Sequence, residues 1–323
     1  MPRAPGVDRC RLPHQGQVAL LRSAWHNKDP ASATRVPGAG TTRILRLWKG
    51  SSCLSRMIAM TRSVTSADGT KIAFDSYGEG GPVILIGGAH NDRSNLTGVA
   101  HAIAADRLAV AYDRRGRGAS TNEDTEFAVE RELEDLGALI EVLSGAAGLF
   151  GHSSGGILAI EAAMRGMPIE QLVVYEPPYM VEGTRPLPPA ELFPRLCALV
   201  REDRRDEVVV AFYTEAVGLR SEVVEEMRAA PVWDRMTALA HTLPYDAAIP
   251  GDYRVPSDRL AALSVPTLVI DGSQSPAWMR ATAQAMADAI PRAERLTLAG
   301  EDHGVLQRPE ALQKPLLDFL LRV

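Results

Sequence analysis

The chain has 323 residues, of which 46% are apolar and 23% are charged. This composition is too apolar for a disordered chain, and the net charge of −5 argues against a dedicated nucleic-acid binder. No apolar run reaches the roughly 18 residues that a membrane span needs, so we expect no membrane partner.

The three cysteines, Cys10, Cys53 and Cys197, lack the spacing of a disulfide framework or a zinc site. We therefore predict a protein of the reducing cytoplasm. No glycine-rich loop has the spacing that cradles phosphates, and no carboxylate–histidine pair has metal-ligand spacing. We expect no cofactor and no metal, and a small-molecule substrate as the partner.

Residues 1–56 mix Pro, Gly, Arg, Ser and Thr without a helical or strand period. We predict a disordered extension. An arginine-rich transit peptide is one alternative, and a start at Met57 or Met60, just before the first regular segment, is another.

From residue 61 onward, short apolar strands alternate with helical patterns, and an Asp-Gly turn joins the first two strands into a hairpin. Continuous apolar strands between helices are typical of a parallel sheet covered on both faces, and right-handed crossovers make it an α/β, doubly wound fold. Strands are predicted at Val64–Ser66, Lys71–Tyr77, Pro82–Ile86, Leu108–Tyr112, Leu149–His152, Leu172–Tyr175, Thr267–Ile270 and Arg295–Leu298, and helices at Asn95–Ala105, Glu130–Leu143, Ser154–Arg165, Pro276–Ala289 and Pro309–Leu321.

Residues 179–262 interrupt this alternation. They carry helical patterns such as Glu191–Arg201 and Asp206–Val217, separated by prolines, and no convincing strand. Because the segment is inserted between two strands, we predict a helical cap over the strand ends. Residues 57–178 and 263–323 then form the core.

The sharpest motif is Gly151-His152-Ser153-Ser154-Gly155, at the junction of a predicted strand and a predicted helix. A serine on such a tight turn projects its hydroxyl into the crevice, and glycines two residues away on each side relieve the crowding. The N–H group of Ser154, at the helix N-terminus, can stabilise an oxyanion. The motif predicts Ser153 as a nucleophile.

From about residue 61 to the end, the chain resembles the α/β-hydrolase superfamily. Besides the serine motif, the resemblance rests on Tyr112-Asp113-Arg114-Arg115-Gly116-Arg117-Gly118-Ala119-Ser120, on Leu85-Ile86-Gly87-Gly88-Ala89 at the oxyanion turn, and on Gly300-Glu301-Asp302-His303. It implies an α/β-hydrolase fold in which His303 is the general base. It also implies an oxyanion hole of Ala89 and Ser154, shaped by Gly88. His90 is the next candidate base.

The acid of the triad is the open question. Many relatives carry it at a Gly-x-x-Asp step, where this chain has Ser275. The candidates are Glu176, in a Tyr-Glu-Pro step that resembles the acid position of some lipases, then Asp271, and Asp302 next to the histidine. We favour Glu176, because its strand is predicted to lie beside the nucleophile strand and Pro177 stiffens its backbone.

We predict that the substrate pocket lies between the cap and the core. Its candidate lining residues are Tyr179, Trp233, Trp278 and His241.

The resemblance implies a serine hydrolase that cleaves a small carboxylic ester, lactone or thioester through an acyl-enzyme. Serine at the elbow argues against the aspartate-nucleophile mechanisms of epoxide hydrolases and dehalogenases. Two alternatives stay open: a lyase, cyclase or perhydrolase with the same serine and histidine, and a small-molecule-binding pseudoenzyme.

Overall fold

The computed structural model describes residues 60–122 and 127–322. They include a sheet of eight strands in the order β1-β2-β4-β3-β5-β6-β7-β8. β1 and β2 pair antiparallel, as do β2 and β4, and all other pairs are parallel. The strands are β1 (Met60–Thr65), β2 (Lys71–Tyr77), β3 (Pro82–Ile86), β4 (Leu108–Tyr112), β5 (Ala147–His152), β6 (Ile169–Tyr175), β7 (Thr267–Gly272) and β8 (Ala293–Leu298).

Helices cover both faces of the sheet. Side chains alternate along each strand, so Ile84 and Ile86 pack toward one face while Val83 and Leu85 pack toward the other. All four are buried. The helices of this core are α1 (Thr97–Ile103), α2 (Val129–Leu143), α3 (Ser154–Met164), α10 (Ala277–Ala289) and α11 (Glu310–Leu320). The α/β-hydrolase fold class predicted from the sequence is confirmed.

Six helices lie between β6 and β7 and form the inserted cap. The first five of them enclose an apolar cluster of their own, which includes Leu196, Val208 and Met236, and Ala89 of the core packs against it. Leu260 of the sixth helix belongs to the main core cluster. The cap helices are α4 (Leu192–Arg201), α5 (Arg205–Ala211), α6 (Ser221–Arg228), α7 (Val232–Ala238), α8 (Leu243–Ala248) and α9 (Ser257–Leu260), and a π-helical turn at Phe212–Ala216 continues α5.

The helix predicted over Asn95–Ala105 is shorter than expected. A 3-10 turn at Arg93–Leu96 precedes α1. The Asp92 carboxylate accepts from the N–H of Ser94, and the Asn95 side chain accepts from the N–H of Asp92. This capping arrangement starts the helical turn earlier than the apolar pattern indicates.

The predicted extension over residues 1–56 lies outside the described residues. None of the helices in the two described ranges has the length and apolar character needed to cross a bilayer. The parallel strands β3 to β8 end at one edge of the sheet, where open α/β sheets place their binding crevice.

Candidate active site

Ser153 stands between the end of β5 and the first residue of α3. Its φ of 55° is positive, which is unusual for a residue with a side chain. Such strain costs about 1–3 kcal/mol and persists only where the surroundings enforce it. Here the Ser153 N–H donates to the Tyr175 carbonyl oxygen at 2.9 Å, which anchors the turn to β6.

The glycines of the motif are required by close backbone approach. A Cβ on Gly151 would overlap the backbone of Gly155 and Gly156, and one on Gly155 would overlap the Ile86 carbonyl. The pattern therefore has the physical reason that the sequence analysis assigned to it.

Glu176 and His303 meet at the same edge of the sheet. The Nδ1 of His303 lies 2.7 Å from Glu176 Oε2, and the Gly272 N–H donates to Glu176 Oε1 at 2.8 Å. The Glu176 carboxylate is fully buried, whereas the His303 side chain is 27% exposed. An acceptor at Nδ1 holds the imidazole in the tautomer whose Nε2 is free to take a proton.

The two rival carboxylates are engaged elsewhere. Asp271 is buried and accepts from Arg295 at 2.9 and 3.1 Å and from the Thr297 hydroxyl at 3.1 Å. Asp302 accepts from Arg308 at 2.7 Å and from the Gly304 N–H at 2.9 Å. Neither makes a hydrogen bond to His303.

Two aromatic side chains hold the loop that carries His303. His152 Nε2 donates to the His303 carbonyl oxygen at 2.9 Å, and the Tyr175 hydroxyl donates to the Asp302 carbonyl oxygen at 2.7 Å. The His152 ring lies 4.8 Å from the His303 ring. Since His152 precedes Ser153 and Tyr175 precedes Glu176, both strand ends are tied to the histidine loop.

Two backbone N–H groups next to Ser153 make no hydrogen bond to any described residue, those of Ala89 and Ser154. A Cβ built on Gly88 would lie 2.8 Å from Ser153 Cβ and 3.3 Å from its Oγ, so only glycine fits there. The Gly88 N–H donates to the Asn91 side chain at 3.2 Å. Gly88 was predicted within the oxyanion hole. Its own N–H is engaged by Asn91, and the absence of a Cβ leaves room for Ser153, so its part in such a hole stays a prediction.

In the described ranges, Ser153 Oγ makes no hydrogen bond to His303. Contacts of this kind are often long before substrate binds and tighten in the complex. The geometry brings together a strained serine, a histidine oriented by a buried carboxylate, and two unoccupied backbone donors. That set is suited to nucleophilic attack on a carbonyl carbon.

The sequence pattern that describes the alpha/beta hydrolase family matches residues 79–313. The chain belongs to this family. The match begins after β2, ends within α11 and includes the helices inserted between β6 and β7.

Solved and curated relatives agree with this assignment. An alpha/beta hydrolase from Sphaerobacter thermophilus is 47% identical, with a TM-score of 0.74 over 80% of this chain and 100% of its own. A non-heme chloroperoxidase of Kitasatospora aureofaciens is 27% identical over 79% of this chain and 98% of its own. A bromoperoxidase from Bacillus anthracis is 24% identical, with a TM-score of 0.62 over 81% of this chain and 100% of its own. At this identity the likeness shows the shared fold alone.

The residues predicted to line the pocket make no hydrogen bond or ring contact with Ser153 or His303. Trp233 donates to Asp206 within the cap. His241 Nε2 donates to the Gly116 carbonyl oxygen at 2.9 Å. Trp278 lies under the Arg185 guanidinium, 4.8 Å from it. In this alpha/beta hydrolase these three side chains therefore link cap helices, loops and core to one another.

Tyr179, the fourth predicted lining residue, lies away from Ser153 and His303 as well, and its place in a substrate pocket stays a prediction. It is buried in the main core cluster and borders a cavity of about 130 Å³ beside Glu161. A larger cavity of about 490 Å³ lies between Leu187 and Tyr253. Neither cavity is lined by Ser153 or His303, because both open on the side of the cap where residues 250–254 run.

His90, the second candidate base, is buried and stacks on Tyr213 of the cap at 5.7 Å. Burial lowers the pKa of its imidazole to about 3. Two polar residues that contact the neighbours of Ser153, Asn91 at Gly88 and Asp246 at Ser154, were not among the predicted site residues. Asn91 was recognisable only as a polar residue after the glycine turn, and no motif marks Asp246.

Among the described residues no cluster of His, Cys, Asp and Glu is arranged to hold a metal.

Acidification is expected to lower activity through a single proton. Burial, assisted by the nearby His303, lowers the pKa of His152 to about 3, and burial does the same for His90. Both therefore stay neutral as the pH falls from 8 to about 4, so neither adds a proton of its own to the loss of activity. We expect log(kcat/KM) against pH to decline with a slope of one on the acid side. A slope of two would show that a second histidine participates.

Proposed function

We propose that this alpha/beta hydrolase is a serine hydrolase that cleaves a small carboxylic ester, lactone or thioester through an acyl-enzyme. The observation that carries the proposal is the 2.7 Å contact between Glu176 and His303 Nδ1, at the same sheet edge as the strained Ser153. A surface histidine has no need of a buried carboxylate partner, whereas a general base does.

The proposal assigns a residue to each step. Ser153 Oγ attacks the carbonyl carbon while His303 Nε2 takes the hydroxyl proton, and Glu176 stabilises the resulting imidazolium. The N–H groups of Ala89 and Ser154 stabilise the oxyanion. His303 then protonates the leaving alcohol or thiol. Water, deprotonated by His303, releases the acid from Ser153 and completes the cycle.

The acyl-enzyme is expected to appear as a burst. We expect p-nitrophenyl acetate to release nitrophenolate in a fast phase with an amplitude close to one per chain, followed by slower turnover. Intact-mass measurement during the burst should show one added acetyl group, absent from a Ser153→Ala variant. A wild-type chain that binds the ester without a burst or an adduct would instead be a receptor.

A second candidate is favoured by the name of the 27% identical relative, a non-heme chloroperoxidase. The same acyl-enzyme can be attacked by hydrogen peroxide instead of water. The products are a peracid and free Ser153, and the peracid oxidises a halide ion to hypohalous acid while it is reduced to the carboxylic acid. Adding hydrogen peroxide and acetate with bromide tests this reaction. Halogenation of a dye that depends on Ser153 and acetate supports it, and ester turnover without halogenation favours the hydrolase.

A further inference from the structure

One carboxylate of the cap reaches into the core next to the oxyanion turn. Asp246 of α8 is buried, and its two oxygens accept from different arginines of the loop after β4. Arg114 Nη1 lies 2.7 Å from Asp246 Oδ1, and Arg117 Nη2 lies 2.7 Å from Oδ2. All three side chains are at most 1% exposed. This buried ion cluster is a polar link between the cap and the nucleophile region.

Arg117 connects Asp246 to the peptide that carries one oxyanion donor, the Ala89 N–H. Its Nη1 donates to the Gly88 carbonyl oxygen at 2.6 Å, and the Asn91 N–H donates to the same oxygen at 3.2 Å. The Gly88 carbonyl and the Ala89 N–H belong to one planar trans peptide and point in opposite directions. Fixing the carbonyl toward Arg117 therefore fixes the direction of the Ala89 N–H.

The second donor is tied to the same carboxylate. The Ser154 hydroxyl donates to Asp246 Oδ1 at 2.7 Å, and Arg114 Nη1 donates to Ser154 Oγ and to the Gly87 carbonyl oxygen, both at 3.3 Å. Ser154 is the first residue of α3, so its side-chain anchor also sets where its own N–H lies.

The buried charge of Arg117 is compensated by the Asp246 carboxylate. Burial opposes ionisation of Asp246, but Arg117 and Arg114 outweigh that effect and lower its pKa. Arg114 has a second carboxylate, Glu132, at 2.6 Å. In the described part of the chain Arg117 pairs with Asp246 alone, and burial together with the nearby Arg114 lowers the pKa of its guanidinium.

We propose that Asp246 is a positioning residue that aligns both donors of the oxyanion hole, so that the hole is complete only when the cap is seated on the core. The proposal rests on the proposed function, since an oxyanion hole has a role only in acyl transfer. It assigns to the cap a part in transition-state stabilisation besides covering the site.

The test compares Asp246→Asn with Asp135→Asn. Asp135 is the matched control, because it is a buried carboxylate paired with Arg115 of the same loop, at 2.6 and 2.8 Å, and it touches neither Gly88 nor Ser154. Both variants are expected to lose thermal stability. Removing one oxyanion donor costs about 10²–10³ in kcat, so we expect misalignment in Asp246→Asn to lower kcat by about 10- to 100-fold with little change in KM. Asp135→Asn should keep kcat.

A transition-state analogue separates alignment from general damage. A trifluoromethyl ketone adds to Ser153 and places its oxyanion in the hole. Its affinity for Asp246→Asn should fall by the same factor as kcat/KM, and its affinity for Asp135→Asn should not change. If Asp246→Asn does not fold, Arg117→Lys carries the test, because one ammonium cannot reproduce the guanidinium fork that spans Asp246 and Gly88.

Equal kcat values for the two asparagine variants would overturn the proposal, as would unchanged affinity for the ketone in Asp246→Asn or in Arg117→Lys. Failure of the proposed function looks different. In that case the wild-type chain itself shows neither a nitrophenolate burst nor binding of the ketone to Ser153.

Discussion

Turnover of p-nitrophenyl acetate is expected to fall by about 10⁵-fold or more when Ser153 is replaced by alanine, the scale seen when a triad member is removed elsewhere. The change deletes one oxygen atom and keeps the Cβ, so the strained backbone and the contact of the Ser153 N–H with Tyr175 stay as they are. The melting temperature should therefore change little. The measurement is steady-state turnover together with the burst amplitude, which should drop to zero.

The control for this prediction compares Ser153→Ala, His303→Ala and the double variant, whose losses of turnover should not multiply. His303→Ala should lower turnover by a comparable factor, because the serine is not activated without its base and the base has no proton to take without the serine. The double variant should lose no more than either single variant. Multiplicative losses would show that the two residues act in separate steps, and ordinary turnover by Ser153→Ala would remove it from the mechanism.

Replacing Glu176 by glutamine is expected to lower kcat by about 10³- to 10⁴-fold, as when the acid of another triad was replaced by its amide. Glutamine has nearly the same shape, but one of its two terminal atoms is a donor. It cannot accept from both His303 Nδ1 and the Gly272 N–H, as the carboxylate does at 2.7 and 2.8 Å. The imidazole then turns or changes tautomer, and Nε2 no longer takes the proton.

Asp271→Asn is the matched control, since the two carboxylates lie near the ends of neighbouring strands and both are buried. Replacing the Asp271 carboxylate breaks its ion pair with Arg295, which should lower the free energy of unfolding by about 3 kcal/mol. Turnover, measured well below the melting temperature, should remain near the wild-type value. The opposite pattern, with Glu176→Gln active and Asp271→Asn inactive, would reassign the acid to Asp271.

Local sequence was sufficient for the fold and for the two best-marked site residues. Continuous apolar strands between helices predicted the doubly wound sheet, and the structure confirms it. Ser153 was recognisable because it stands in a Gly-x-Ser-x-Gly motif, and close backbone approach requires both of its glycines. His303 was recognisable because Gly300-Glu301-Asp302-His303, just after the last strand, resembles the histidine loop of the α/β-hydrolase superfamily. The role of each in catalysis stays a prediction.

The choice between Glu176 and Asp271 depended on the direction of side chains, which the sequence does not state. Tyr175 and Ile270 are paired between β6 and β7, so the two carboxylates follow as neighbours. Asp271 continues its strand and pairs with Thr297 of β8, which directs it toward Arg295. Glu176 leaves its strand with a positive φ of 46°, and this turn directs its carboxylate to His303.

The roles of cap residues could not be predicted from local sequence patterns, for a related reason. Apolar and aromatic residues mark a buried position equally well in the cap interior, in the core or beside Ser153, and Trp233 and Tyr179 proved to lie in the first two. Asp246 carries no motif at all. Its partners Arg114 and Arg117 are more than 120 positions away in the sequence, and a buried charge reveals its function only through the groups that compensate it. Elements and turns follow from short-range preferences, whereas the partners of buried charges follow from how those elements pack.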